Sequence, residues 1–363
     1  MKTDVVAWLA GKPTAKRPSK ESLNHPGIIE LVSGRDVLKE TPEAFLSAYR
    51  ALGIDIINTV PEENAPPPAR PGQVIRSKGG RVQESYLGVF NTTSRMQFPY
   101  KTVEDFWEAD IASLAYGDLD LPGSQYMMPC TPEAIERKAA LVDEIGIYYY
   151  QLYTTLFMWG VEALGWEIFL LAAGLDPERF DRHFLEPVFR KSTDIVTMLS
   201  ALDSPWVFCH DDIAMTTGPA FRPDWYGTYL FPRYAELWSI PHALGKKAFF
   251  VADGKLEWAF EALRESGCDG LMFESPANDL DAVIDMWGDA FFIGGIDVQV
   301  LTRGNPDSVR RHVADVYHKT RDCKGFALCC SGGLFGNIPL ENLEAYFDAR
   351  VEFGYTRPDW RQP

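Results

Sequence analysis

The chain has 363 residues, 46% of them hydrophobic and 24% charged, with a formal charge of −16. Length and apolar content suffice for one large core, and α/β barrels routinely reach this size as single units. The acidity argues against nucleic acid as a partner, because phosphate binding needs clustered Lys and Arg; no run approaches the ~20 consecutive apolar residues of a membrane helix.

Met1 to Gly11 carries Asp4 and a very short apolar run, and reads as a short surface helix rather than a secretory signal. Residues 1–40 are expected to form an N-terminal extension, 41–353 a barrel, and 354–363 a C-terminal tail. Ile54 to Val60 and Gly146 to Tyr150 read as barrel strands, with a further one placed within Ser85 to Asn91. After Pro66-Pro67-Pro68, residues 72–99 read as an inserted hairpin turning at Lys78-Gly79-Gly80-Arg81.

From Trp206 onward the rhythm is regular. Trp206 to Cys209, Lys247 to Val251, Gly270 to Phe273, Ala290 to Gly294 and Gly325 to Cys329 are continuous apolar runs. Parallel strands covered on both faces have this pattern. Helical stretches fall at Trp225 to Ala243, Leu256 to Ser266, Leu280 to Trp287 and Pro306 to Thr320. Asn305-Pro306 supplies a cap and a first-turn proline, and Pro339 opens another helix towards Phe353. This succession of βα units predicts an α/β fold of the (β/α)8 TIM type. A doubly wound nucleotide fold lacks support, since no GxGxxG or GxxxxGK[ST] follows a first strand.

Catalysis in such barrels sits at the carboxyl ends of the strands. Those ends carry His210-Asp211-Asp212, Asp253-Gly254, Glu274, Asp297 and Cys329-Cys330-Ser331-Gly332-Gly333. Adjacent carboxylates on a strand end point to different sides, so at most one of Asp211 and Asp212 faces the mouth. His210 or Asp212 suits a general acid or base, or a ligand; the plainer alternative for His210 is bonding to backbone. Asp253 is a candidate acid or an Asp-Gly turn residue. Glu274 directly follows a buried strand. Cys329 and Cys330 read as a nucleophile or, more simply, as small hydrophobes. The six cysteines include no CxxC and suit a reducing cytoplasm.

The same residues carry a likeness. His210-Asp211-Asp212-Ile213, Gly218-Pro219, Pro223-Asp224-Trp225-Tyr226 and Tyr229 to Tyr234 resemble the uroporphyrinogen decarboxylase superfamily. Ala243 to Lys246, Asp253-Gly254, Gly294 to Asp297 and Pro339 to Asn342 continue the resemblance in the family's order, over roughly residues 40 to 350. It implies a β/α barrel with one of two chemistries: cofactor-free decarboxylation of uroporphyrinogen, or methyl transfer involving a corrinoid. The decarboxylases' arginine-rich opening loop has no counterpart between Met1 and Arg50, and Ser331-Gly332-Gly333 stands where they have a Gly-His-Gly turn. The thiol-activating transferases' zinc ligands are replaced by Val251, Asp253 and Gly332, which leaves the identity of any metal open.

The resemblance therefore points to transfer of a methyl group from a small O-, N- or S-methyl donor to a corrinoid carried by a partner protein. Asp253, Glu274 and His210 are the expected catalytic groups, with Asp211, Asp212, Tyr226, Asp297 and Cys330 binding substrate. The alternatives are a decarboxylase or lyase acting on a carboxylated ring, and a non-catalytic tetrapyrrole- or partner-binding barrel. A homodimer is compatible with each.

Overall fold

The computed structural model describes residues 2–12, 14, 16–59, 74–76, 82–85, 92–95, 100–111, 131–358 and 360. The apolar runs form a six-stranded parallel sheet in the order Leu152–Thr154, Trp206–His210, Lys247–Ala252, Gly270–Phe273, Phe291–Ile296, Gly325–Cys330. Ile56–Ile57 pairs in parallel with Tyr148–Tyr149. Parallel bridges Ser19↔Leu328 and Lys20↔Ile56 then join the last strand to the second. The result is a ring of eight segments, in which the third is interrupted at Tyr150-Gln151. Its first half pairs with the second segment and its later half with the fourth.

Two boundaries move as a consequence. Residues 1–40 are not an appendage, because Ser19 and Lys20 supply the first barrel segment. Its backbone is pinned by a buried ion pair, Lys16 Nζ to Asp55 Oδ2 at 2.6 Å, and by the Ser19 amide donating to the same carboxylate at 2.9 Å. Nor is 354–363 a loose tail, since Tyr355 is buried against the guanidinium of Arg350.

The helix Lys2–Leu9 is also not a surface element. Val5 and Trp8 are buried with Trp206, Phe208, Phe249, Ile293 and Ala327 inside the ring. Trp8 meets Phe291 edge-on, with ring centroids 5.0 Å apart. Trp206 and Phe291 begin their strands, so this helix stoppers the amino-terminal end of the barrel.

Leu280–Trp287 and Pro306–Thr320 are helical as expected, the latter with a capping box between Asn305 and Ser308. Trp225 to Ala243 is instead two helices, Pro223–Tyr229 and Phe231–Ala243, broken ahead of Pro232. Leu156–Leu175 is long and apolar enough to cross a membrane, but its residues pack largely into the core. The insertion is a three-stranded antiparallel meander, Val74–Arg76, Val82–Ser85 and Thr92–Arg95, rather than a single hairpin. Ser85 belongs to that meander and not to the barrel; the proposed turn at Lys78 to Arg81 and residues 86–91 lie outside the described residues.

Candidate active site

Inward-facing residues alternate along each strand, which brings His210, Asp212, Asp253 and Glu274 to one rim. His210 Nε2 lies 3.0 Å from Asp212 Oδ1, and its Nδ1 lies 3.3 Å from Thr154 Oγ1. Asp212 Oδ1 also accepts the Asp253 amide at 2.8 Å, and Glu274 Oε2 accepts the Gly254 amide at 3.1 Å. Three successive strand ends are thus stitched together by carboxylates acting on backbone.

The electrostatics separate the roles. Burial opposes a charge on His210, but the hydrogen bond and charge of Asp212, helped by Asp253 and Asp211, outweigh it and raise the imidazole pKa. Burial likewise opposes ionisation of Asp212, yet His210 and the Asp253 amide hold its carboxyl below the usual range. Asp253 keeps an edge open to solvent, but it sits in a concave rim. Lost hydration there, together with the charges of Asp212 and Glu274, pushes its pKa up to about 6. Gly254 makes the turn possible: its φ is +80°, and a Cβ would stand 2.3 Å from the Ala214 carbonyl oxygen.

Beneath the rim lies a layer that sequence reasoning missed. Lys20 Nζ donates to Ser22 Oγ at 2.6 Å, Ser22 Oγ donates to Asn58 Oδ1 at 3.2 Å, and the ammonium stands 5.9 Å from the centroid of the Tyr150 ring. Tyr150 Oη approaches Met272 Sδ at 3.9 Å. No apolar periodicity marks Ser19 to Ser22 as a strand, so only the pairing reveals it.

Four expected substrate-binding residues lie elsewhere. Asp211 is fully buried on the outer side, where it accepts the amides of Phe157 at 3.0 Å and Met158 at 2.5 Å and the Tyr234 hydroxyl at 2.5 Å. It caps the helix Leu156–Leu175. Tyr226 donates to the Ile213 carbonyl at 2.9 Å and accepts the Ala220 amide at 3.0 Å, so it braces the loop behind the fourth strand. Asp297 caps the helix Val298–Arg303 by accepting the Gln299 amide at 2.7 Å. Cys330 is buried, and burial with the nearby charge of Glu21 drives its thiol pKa well up; burial takes Cys329 to about 12. Neither thiol is an activated nucleophile.

Among the described residues, no three His, Cys, Asp or Glu side chains are grouped closely enough to hold a metal ion. Val251 packs into the apolar barrel interior in register with His210, and Gly332 is exposed beyond the last strand. A cavity of about 310 Å³ opens at the other end of the strands, lined by Ile135, Asp143, Tyr148, Leu199, Asp203 and Pro205 among others, away from the carboxylate rim.

The family model for uroporphyrinogen decarboxylase (URO-D) matches residues 175–353, the stretch that holds His210, Asp253 and Glu274. Over that stretch, just under half of the chain, the sequence is similar to the uroporphyrinogen decarboxylase family. The chain's fold is also that of a methyltransferase from Methanosarcina mazei, at 17% identity and a TM-score of 0.64, over 97% of this chain and 98% of that one. That likeness is one of fold, and it takes in the amino-terminal half as well. Xylanase B from Clostridium stercorarium F9 is more distant, at 12% identity and a TM-score of 0.38 over 59% of this chain and 76% of that one. D-psicose 3-epimerase from Clostridium cellulolyticum H10 is similarly distant, at 10% identity and a TM-score of 0.38 over 68% and 93%. Both are too dissimilar to bear on this chain's chemistry. No curated protein matches the sequence.

Proposed function

We propose that this uroporphyrinogen decarboxylase-like barrel is a cytoplasmic methyltransferase, moving a methyl group from a small O-, N- or S-methyl donor to a corrinoid carried by a partner protein. The observation that carries the reading is Asp253, a rim carboxyl whose pKa of about 6 lets it hold a proton near neutrality. Methyl transfer from an O-methyl donor or a thioether needs that proton, whereas a quaternary ammonium leaves as a neutral amine without it. As the bond from the methyl carbon to O or S breaks, its electron pair stays on the departing atom, and protonation there removes the cost of the anion.

The corrinoid supplies the nucleophile that takes the methyl carbon. The chain holds the donor, aligns it and delivers the proton. Lost hydration, with the charges of Asp212 and Glu274, raises the share of Asp253 that carries a proton, and the bonds of those two carboxylates to the Asp253 and Gly254 amides fix the turn that presents it. His210, held by Asp212 and Thr154, lines the same rim as a second proton carrier. The solvent-open edge of Asp253 lets it regain a proton from water after each turnover.

The test is anaerobic. The protein is mixed with cob(I)alamin and a panel of methoxylated aromatics, methylamines and betaines, and the corrinoid spectrum is followed. Formation of methylcobalamin establishes the class and identifies the donor. A flat spectrum, with uroporphyrinogen consumed in a parallel tube, replaces methyl transfer with decarboxylation.

A further inference from the structure

We propose that Lys20 anchors a carboxylate of the substrate, so that the methyl donor is itself a carboxylic acid whose methylated end lies against Asp253. The inference rests on the methyl-transfer reading for the second half of that statement only.

Lys20 is 2% exposed and reaches into the barrel from the first segment. Among the described residues, no carboxylate forms an ion pair with it. Its nearest partners are the Ser22 hydroxyl at 2.6 Å, the Tyr150 ring and the Cys329 thiol; the charge of Glu21 also reaches it, but that carboxylate is claimed by Arg350, the Tyr346 hydroxyl and the Cys330 amide. Burial keeps Tyr150 and Cys329 protonated despite the nearby ammonium, so neither serves as a counter-ion. The same segment treats its other buried lysine differently, closing Lys16 onto Asp55 at 2.6 Å. An ammonium buried without an ion-pair partner of its own is costly, and its bonds to Ser22 and Tyr150 leave donor capacity for a ligand.

Ser22, Asn58 and Met272, the side chains around Lys20 and Tyr150, are only half-buried, so this layer is not sealed from solvent. Charge then orients the guest. Asp212, Asp253 and Glu274 repel an anion from the far wall, while Lys20 attracts it to the near one, and its charge reaches Asp253. A molecule with a carboxylate at one end and a methyl-bearing heteroatom at the other fits this polarity.

The test uses benzoate and its neutral isostere benzamide as probes, titrated calorimetrically into the full chain. The wild type is expected to prefer benzoate about tenfold or more, as a charge-assisted hydrogen bond implies. Lys20→Met should abolish the preference and Lys20→Arg should retain part of it. Equal binding, no binding of either probe, or a preference that survives in Lys20→Met overturns the proposal; the wild-type comparison stands even where the Met variant fails to fold. Methoxybenzoate with cob(I)alamin separates the two readings. A benzoate preference without methyl transfer, or with release of carbon dioxide, keeps the role of Lys20 and removes the transferase.

Discussion

The proton on Asp253 gives the sharpest test. With a pKa of about 6 instead of the usual 3.8, the fraction protonated at pH 7 is about 9% instead of about 0.06%, a gain of roughly 150-fold in the acid form. An enzyme that uses this acid should lose rate as pH rises, about tenfold per unit above pH 6. Asp253→Asn should flatten that limb and lower kcat/KM by about 10² to 10⁴. Glu274→Gln should move the limb to lower pH, because it removes one of the charges that hold the proton on while preserving an acceptor for the Gly254 amide. The measurement is the initial rate of methylcobalamin formation between about pH 5 and 8.5 for the three proteins. A wild-type rate that climbs through pH 6 would make Asp253 a base and refute the reasoning. So would a limb that Glu274→Gln leaves in place.

Other outcomes test the frame around the site. Asp211→Asn swaps an acceptor-only group for one with an N–H facing two helix amides and the Tyr234 hydroxyl. Urea unfolding should show a loss of about 2–4 kcal/mol, and an unchanged midpoint would return Asp211 to the list of substrate ligands. Gly254→Ala places its methyl against the Ala214 carbonyl at a positive φ. It should lower the thermal midpoint by the equivalent of about 2–3 kcal/mol, and wild-type activity in this variant would show that the turn at Asp253 is not required. Trp8→Ala empties the stopper of the lower barrel; a cost of about 3–5 kcal/mol is expected by calorimetry, and a negligible one would mean the helix is peripheral after all.

The second half of the barrel was legible because its strands are covered on both faces, so Lys247 to Val251 or Gly325 to Cys329 appear as unbroken apolar runs with polar residues at their ends. Reading those ends singled out His210, Asp253 and Glu274, which the fold brings to one rim. Asp211, Tyr226, Asp297 and Cys330 were misplaced because adjacency in sequence does not say which way a side chain points, or whether a helix amide already claims it. The first segment was illegible for a different reason. Its residues, Ser19, Lys20 and Glu21, are polar and buried, and Ser19 and Glu21 are satisfied by partners far along the chain, Asp55, Tyr346 and Arg350. No local pattern encodes that.

The closing seam of the ring joins the two ends of the polypeptide: Cys330 N donates to Glu21 Oε2 across 309 residues. Loop closure over such a separation is slow to reward. During synthesis, Lys20 has no barrel to enter until the eighth strand has emerged. Lys20 and the acidic rim are therefore held in one ring only once that seam is made, and a chain stopped short of Leu328 lacks the strand that closes over Ser19.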